Sequence, residues 1–211
     1  MLSFLDECII KFDKMLKVAY PAWPTTTPIP NPAEQETEMA LSVVEKHQVQ
    51  SMMRVNLAGE MAAQGLYRGQ MLLAKSPELK QELNAAAEEE WAHYVWCVER
   101  LKELDDRPSF FNPVWYCGAF AIGLLASMIS DKTSLGFVIA TEEQVGQHLA
   151  SHLWKLPRHD FKSRAIVSQM YQDELEHAEM AEHRGGERLP LMVQYMMHWA
   201  AQVMIQTSGL I

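Results

Sequence analysis

The chain has 211 residues, of which 48% are hydrophobic, and its formal net charge is −9. This length suits one large domain with a full core, and the composition excludes a mostly disordered protein. An acidic chain offers no general phosphate-binding surface, so nucleic acid is not an expected partner. The three cysteines, Cys8, Cys97 and Cys117, have no paired spacing, which fits a reducing compartment.

The N-terminal region is expected to lie outside the main domain. Residues 1–17 have the pattern of a short amphipathic helix and lack the basic start and uninterrupted apolar core of a secretory signal. Residues 20–35 contain five prolines and predict an extended linker. We therefore predict two parts, a helix with a Pro-rich linker at 1–37 and a helical domain at 38–211.

Four long helical patterns follow, and no convincing alternating strand pattern is present. Ser76 is expected to cap the second helix, with Pro77 at its first position. A further apolar helix is expected at 189–207. The predicted fold class is all-α, an antiparallel four-helix bundle with additional helices. The four long helices are predicted at about 38–75, 77–105, 131–156 and 160–184.

Two of these helices carry the same pair of metal-binding side chains. The second contains Glu90-x-x-His93, within "AAAEEEWAHYVW", and the fourth contains Glu174-x-x-His177, within "QDELEHAEMA". A Glu and a His three residues apart project from one helix face and can together hold a metal ion. Each pair also lies on an apolar stripe, where a carboxylate without a cation is costly to bury.

The other two long helices each supply a candidate carboxylate. Glu60 lies on the apolar face of the first helix, and Glu142 rather than Glu143 lies on the apolar stripe of the third. Glu60 precedes Glu90 by 30 residues and Glu142 precedes Glu174 by 32, so the chain has two similar halves. Four carboxylates balance two divalent ions, and this ligand set suits iron or manganese better than zinc.

Other charged and histidine side chains near these motifs have less certain roles. A metal-bound histidine needs an acceptor for its second ring nitrogen, and Glu89 and Asp173 are candidates to reach across the bundle for this purpose. Solvated helix charges are an equally good interpretation of both. His148 and His152 have ligand spacing on the third helix, but they lie off the Glu142 stripe and are expected at the surface or facing a partner.

Two long segments, residues 108–130 and 189–211, contain no charged side chain. A single membrane crossing by the first would separate the two halves of the metal site. We expect it instead to lie across the bundle end at a membrane surface, with Trp115 and Tyr116 at the depth of the lipid headgroups. The second segment is expected to contact the same membrane surface. The alternative is that these segments form an oligomer interface or simply cover the hydrophobic core.

Four blocks of the sequence resemble the signature blocks of the demethoxyubiquinone hydroxylase family, the ferritin-like di-iron monooxygenases of ubiquinone biosynthesis. They are "RVNLAGE…YRGQM", "EEEWAHY", "TEEQVGQH" and "DELEHAE", and the resemblance spans about residues 50–210. It implies a ferritin-like bundle in which no catalytic residue is needed beyond the ligands of two iron ions. The ligands that it implies are Glu60, Glu90, His93, Glu142, Glu174 and His177.

The resemblance also implies partners and a location. The enzyme would lie on the cytoplasmic side of the cell membrane as a peripheral protein and use O₂ to hydroxylate the ring of a polyprenyl quinol. No flavin or nicotinamide fingerprint is present, so either a separate reductase or NADH could donate the electrons. A homo-oligomer is possible. The chain departs from the family pattern at Leu57, commonly a histidine, and at Leu149, often a tyrosine, which puts any tyrosine-assisted electron delivery in doubt.

Three rival functions fit parts of the sequence. A ferritin-like iron-oxidising or peroxidase protein has the same six ligands but no need of two uncharged segments. A di-iron hydroxylase of tRNA calls for a basic surface, which the charge of −9 does not favour. A membrane-associated scaffold with vestigial metal residues is disfavoured by the intact spacing at all six positions.

Overall fold

The computed structural model describes residues 26–38 and 40–210, so the helix predicted at residues 1–17 lies outside the described residues. Within the described part, the chain forms six helices and no strand, which confirms the predicted all-α class and is consistent with a ferritin-like bundle. The helices are α1 Val43–Leu73, α2 Pro77–Glu103, α3 Asn112–Ile129, α4 Asp131–Lys155, α5 Phe161–His183 and α6 Leu191–Leu210.

Side-chain caps explain where the long helices begin. Ser76 accepts a hydrogen bond from the backbone N–H three residues further on, and Pro77 occupies the first position of α2, as predicted. Asp160 caps α5 in the same way. Ser42 and Glu45 form a reciprocal capping box, so α1 begins directly after Ser42 rather than near residue 38.

The central bundle consists of α1, α2, α4 and α5. Helix α1 packs on α2 and α4 packs on α5, while contacts of α2 with α5 and of α1 with α4 close the bundle. The start of α1 lies beside the end of α4, where Gln48 Nε2 donates to the backbone oxygen of Lys155 at 3.1 Å. The apolar stripes of all four helices meet in a core whose largest buried side chains include Trp96, Tyr67 and Leu101.

Helix α3 does not lie across the bundle end, so that prediction is wrong. It lies along α1 and runs in the same direction: Gly65 faces the backbone of Tyr116, and Gly69, one turn later, faces that of Phe120. A Cβ atom at either glycine would collide with a backbone carbonyl of α3, so the two glycines create the groove that receives this helix. Tyr116 is only 6% exposed, so its ring packs inside the protein rather than facing lipid headgroups.

Helix α6 covers the neighbouring surface of α1 and meets α3. Ser51 Oγ donates to the backbone oxygen of Gly209 at 3.0 Å, and Trp115 Nε1 donates to Ser208 Oγ at 3.1 Å. Both outer helices expose large apolar side chains, among them Leu125, Met128, Ile129, Met192, Tyr195, Met196 and Trp199. Among the described residues, α3 is the one helix long and apolar enough to cross a membrane, and 28% of it is buried in the protein.

The described part of the Pro-rich segment is not an extended linker. It turns at residues 32–35, and Ala33 is buried against the core. Asn31 Nδ2 donates to Glu99 Oε2 at 2.8 Å, and Trp96 Nε1 donates to the backbone oxygen of Ile29 at 3.4 Å. Proline content predicted the absence of a helix here. The packing depends on partners in α2 that are 67 and 68 residues away in sequence.

Candidate metal centre

All six side chains predicted to bind metal meet in the interior of the bundle. Each of the four bundle helices contributes at least one of them, and none is more than 5% exposed. The alternative carboxylate Glu143 lies at the surface, where it accepts a hydrogen bond from Arg188. The six buried residues are Glu60 of α1, Glu90 and His93 of α2, Glu142 of α4, and Glu174 and His177 of α5.

The six residues form two overlapping groups of four. Glu60 and His93 belong to one group, Glu142 and His177 belong to the other, and both groups include the remaining two glutamates, Glu90 and Glu174. Within each group, one potential ligand atom per residue lies within 4.8 Å of all the others. The arrangement therefore offers two adjacent groups that could each hold a metal ion and that share two carboxylates.

The shared carboxylates are oriented to serve both sites. Glu90 places Oε2 at 3.2 Å from His93 Nδ1 and Oε1 at 3.2 Å from His177 Nδ1. Glu174 places Oε1 at 3.8 Å from His93 Nδ1 and Oε2 at 3.5 Å from His177 Nδ1. Each of these two carboxylates thus presents one oxygen to each site, as a bridging ligand does.

Two outer carboxylates orient the histidines across the bundle. His93 Nε2 lies 2.9 Å from Asp173 Oδ2, and His177 Nε2 lies 2.7 Å from Glu89 Oε2. An Nε2–H that donates outward leaves Nδ1 free to bind a cation inside the cluster. This confirms the predicted contacts of Asp173 and Glu89, and in each pair the histidine and the carboxylate come from different halves of the chain.

The electrostatics of the cluster favour a bound cation. Burial raises the pKa of Glu60, Glu142 and Glu174, and the charge of Glu90 raises each of them further. Each of these four glutamates has one oxygen without a hydrogen-bond partner. The Nδ1 atom of His177 also lacks a hydrogen-bond partner. Buried carboxylates of this kind are costly without cations, so the donor set fits two divalent ions with oxygen and nitrogen ligands.

Tyr67, which was not among the predicted site residues, also belongs to the site. It is fully buried, its hydroxyl donates to Glu142 Oε1 at 2.6 Å, and its ring meets that of His177 edge-on with centroids 6.2 Å apart. Burial, together with the charge of Glu142, raises the pKa of Tyr67, so the phenol keeps its proton. Its position seven residues after Glu60, two helical turns along one face, is the sequence signal that points to the site.

Two adjoining cavities connect the outer helices with the cluster. The larger, of about 250 Å³, lies between α1, α3, α4 and α6 and has an almost entirely apolar lining. The smaller, of about 60 Å³, reaches Glu60. Because five lining residues belong to both, the two cavities are neighbours along one route. The five are Gly59, Gln144, Val145, Ala201 and Met204.

His152 is buried and His148 is half-buried, so the prediction that both lie at the surface is wrong for His152. His152 is 5% exposed, His148 lines the smaller cavity, and their ring centroids are 4.0 Å apart. The prediction assumed that only the Glu142 face of α4 is covered, whereas residues of α1 and α6 cover the His148 face as well. Leu57 and Leu149, the departures from the family pattern, are both core residues.

Comparison with known proteins identifies the family. A family model described as "Ubiquinone biosynthesis protein COQ7" matches residues 47–208, which include all six clustered residues. The chain belongs to the COQ7 family. The matched range agrees with the resemblance to demethoxyubiquinone hydroxylases that the four sequence blocks carry.

Full-length relatives support the family assignment. The 3-demethoxyubiquinol 3-hydroxylase of Francisella tularensis subsp. novicida is 47% identical over 203 residues, covering 96% of this COQ7-family chain and 95% of the relative. Proteins of the same name from Cupriavidus metallidurans and Acinetobacter baylyi are each 46% identical, over 97% of this chain and 99% and 96% of their own lengths. Since these alignments cover nearly the whole chain, the similarity extends into the N-terminal region that the sequence blocks leave out.

Proposed function

We propose that this protein is an O₂-dependent di-iron monooxygenase that hydroxylates the ring of a polyprenylated demethoxyubiquinol. The observation that carries the proposal is a pair of buried ligand groups sharing Glu90 and Glu174, in a chain whose relatives are 3-demethoxyubiquinol 3-hydroxylases. One iron would be held by Glu60 and His93, the other by Glu142 and His177, and both by the two shared carboxylates. When bound, the irons supply the activation of O₂ for insertion of an oxygen atom into a ring C–H bond.

The protein's own residues hold and isolate this site. Asp173 and Glu89 fix the orientation of His93 and His177 through their outer ring nitrogens. Tyr67 holds the carboxylate of Glu142 through a hydrogen bond. The apolar core around the cluster excludes bulk water, which limits the loss of oxidising equivalents to side reactions.

The reaction requires an external reductant. One atom of O₂ enters the ring as a hydroxyl group, and the other leaves as water with two electrons and two protons. An NAD(P)H-dependent reductase or NADH itself would supply the electrons. A homo-oligomer is compatible with this function but is not required by it, since one chain provides all six ligands.

The two cavities suit an amphipathic quinol. The apolar cavity of about 250 Å³ would receive the first isoprenoid units of the tail, and the smaller cavity would admit the polar edge of the ring next to Glu60. The remaining tail would stay in a bilayer. An iron store or peroxidase has no use for such a route, and a tRNA hydroxylase would need a basic approach surface, so both rivals are less well supported.

Membrane attachment follows from the same geometry. Apolar side chains exposed on α3 and α6 surround the side of the protein on which the larger cavity lies. We infer that this surface rests on the cytoplasmic face of the cell membrane as a peripheral contact, so that a quinol passes from lipid to cavity without entering water.

The direct test combines purified iron-loaded protein, a demethoxyubiquinol with a short isoprenoid tail, a chemical reductant and ¹⁸O₂. The proposal predicts a hydroxylated product that contains one ¹⁸O atom. Replacing Glu142 with Ala should abolish product formation and lower iron content, whereas Glu143→Ala, at the neighbouring exposed position, should leave both unchanged. An active and iron-replete Glu142→Ala variant would refute the assignment of this site.

A further inference from the structure

The small cavity beside Glu60 is lined by polar groups with unsatisfied hydrogen-bonding capacity. Asn56 lies one turn before Glu60 on α1, lines this cavity and is 3% exposed. Neither its Oδ1 nor its Nδ2 has a hydrogen-bond partner. A buried amide without partners costs stability, and a ligand that can both donate and accept hydrogen bonds would recover that cost.

Burial without partners is not by itself a sign of a ligand site. Asn112, at the start of α3, is 1% exposed, and both of its amide atoms also lack partners. It lines neither the small cavity nor the larger apolar one. Asn56 differs because its cavity is also lined by Glu60, a candidate iron ligand, and shares five lining residues with the larger apolar cavity.

A second polar side chain lines the same cavity. His148 of α4 has an Nε2 atom without a hydrogen-bond partner. Burial, with the charge of Lys155, lowers the pKa of His148 to about 4, so its imidazole is neutral at pH 7. The other side chains around the cavity include Val55, Leu149 and Ile205, which are apolar. A flat apolar ring with neutral oxygen substituents therefore matches this lining better than a charged group does.

We propose that Asn56 binds the quinol ring and determines which ring carbon faces Glu60, an inference that rests on the function proposed above. The substrate ring carries a hydroxyl group beside a methoxy group. A carboxamide matches this pair, because Oδ1 can accept from the hydroxyl and Nδ2 can donate to the methoxy oxygen. The carbon that becomes hydroxylated neighbours the methoxy-bearing carbon, so holding this pair also fixes the reacting carbon.

The test compares Asn56→Leu, which keeps the branched shape and heavy-atom count of the side chain and removes the amide, with the matched control Asn112→Leu. Iron content, melting temperature, KM and kcat for a short-tailed demethoxyubiquinol, and hydrogen peroxide released per O₂ consumed are measured on iron-loaded protein. Asn56→Leu should keep its iron and melt no lower than wild type, because an amide without partners is removed. It should raise KM about fivefold to tenfold, as expected for one lost ligand hydrogen bond, and release more peroxide. Asn112→Leu should retain wild-type KM and peroxide release.

The outcomes separate this inference from the proposed function. If the wild-type protein does not hydroxylate the quinol, the proposed function is contradicted. If the wild type is active and Asn56→Leu has unchanged KM and peroxide release, only the role of Asn56 is contradicted. If Asn56→Leu loses iron or stability, Asn56→Ser is tested for binding of a short-tailed demethoxyubiquinol, followed by tryptophan emission without O₂, so that the quinol keeps its hydroxyl groups and is not turned over. An unchanged dissociation constant in that variant also contradicts the role.

Discussion

Glu90 and Glu174 show how much of the site can be predicted from local spacing in the sequence. A Glu-x-x-His spacing places two ligands on one helix face whatever surrounds them, so this part of the site was predictable from sequence. The identity of Glu142 was predictable for a similar reason, because the apolar stripe of α4 separates it from Glu143. The roles of Tyr67 and Asn56 depend on groups from α4 and on a cavity between helices, and no local pattern contains that information.

The raised carboxylate pKa values predict how the stability of the metal-free protein depends on pH. The pKa of Glu142 in the folded state lies above its ordinary value of 4.5 because of burial and the charges of Glu174 and Glu90. Its contribution to stability is therefore fully present below pH 4.5 and is lost as pH rises through the folded pKa. The metal-free protein should accordingly lose stability as pH rises above 4.5.

Replacing Glu142 with Gln removes this titrating group and keeps an acceptor for Tyr67. We expect metal-free Glu142→Gln to melt several degrees above wild type at alkaline pH, since each kcal/mol corresponds to about 2–4 °C in a chain of this size. Thermal melts across the pH range, with Glu143→Gln as the exposed control, measure the difference. A Glu142→Gln melting curve with the same pH dependence as wild type would contradict the burial argument.

The outer carboxylates predict effects on metal affinity. Asp173→Ala removes the acceptor of His93 Nε2, so the imidazole loses its fixed orientation, and Fe(II) affinity should fall about 10- to 100-fold. Competition with a chromogenic chelator measures this affinity. Glu176→Ala, an exposed position on the same helix, is the control and should bind like wild type. Equal affinity in the two variants would mean that Asp173 is only a solvated charge.

At the level of helices, boundaries were more predictable than packing directions. Caps such as Ser76 and Asp160 are local, so the observed ends of the long helices lie close to the predicted ones, apart from the start of α1. The position of α3 was predicted wrongly because an uncharged segment has no polar face, and the sequence therefore does not indicate which side of the helix packs against the protein. The information lies instead on α1, where Gly65 and Gly69 leave room for the backbone of α3.

The close approach of α1 and α3 predicts opposite effects for two Gly→Ala substitutions. At Gly69 a methyl group would meet the backbone of Phe120, which cannot move aside, so Gly69→Ala should lower the free energy of unfolding by about 1–3 kcal/mol. At Gly118 of α3 no atom lies within 4 Å of the added carbon. Gly118→Ala should therefore raise the free energy of unfolding by roughly 0.5–1 kcal/mol. Urea denaturation distinguishes the two, and equal effects would contradict the packing described.

For the molecule as a whole, the exposed apolar side chains of α3 and α6 predict membrane binding. Trp199 of α6 is 71% exposed on this surface, whereas Trp154, near the end of α4, is 90% exposed on a helix other than α3 and α6. Trp199→Glu should reduce co-sedimentation with phospholipid vesicles, because a charge at the interface opposes insertion, and Trp154→Glu should not. If both variants sediment like wild type, α3 and α6 do not form the membrane contact.

The proposed function depends most on two metal ions held by side chains from both halves of the chain. Anomalous diffraction at the iron edge, from crystals of the iron-loaded protein, tests this most directly. We expect two iron peaks per chain, one bound by Glu60 and His93, the other by Glu142 and His177, with Glu90 and Glu174 contacting both. A single peak, or iron bound elsewhere with any of these six side chains turned to solvent, would contradict it.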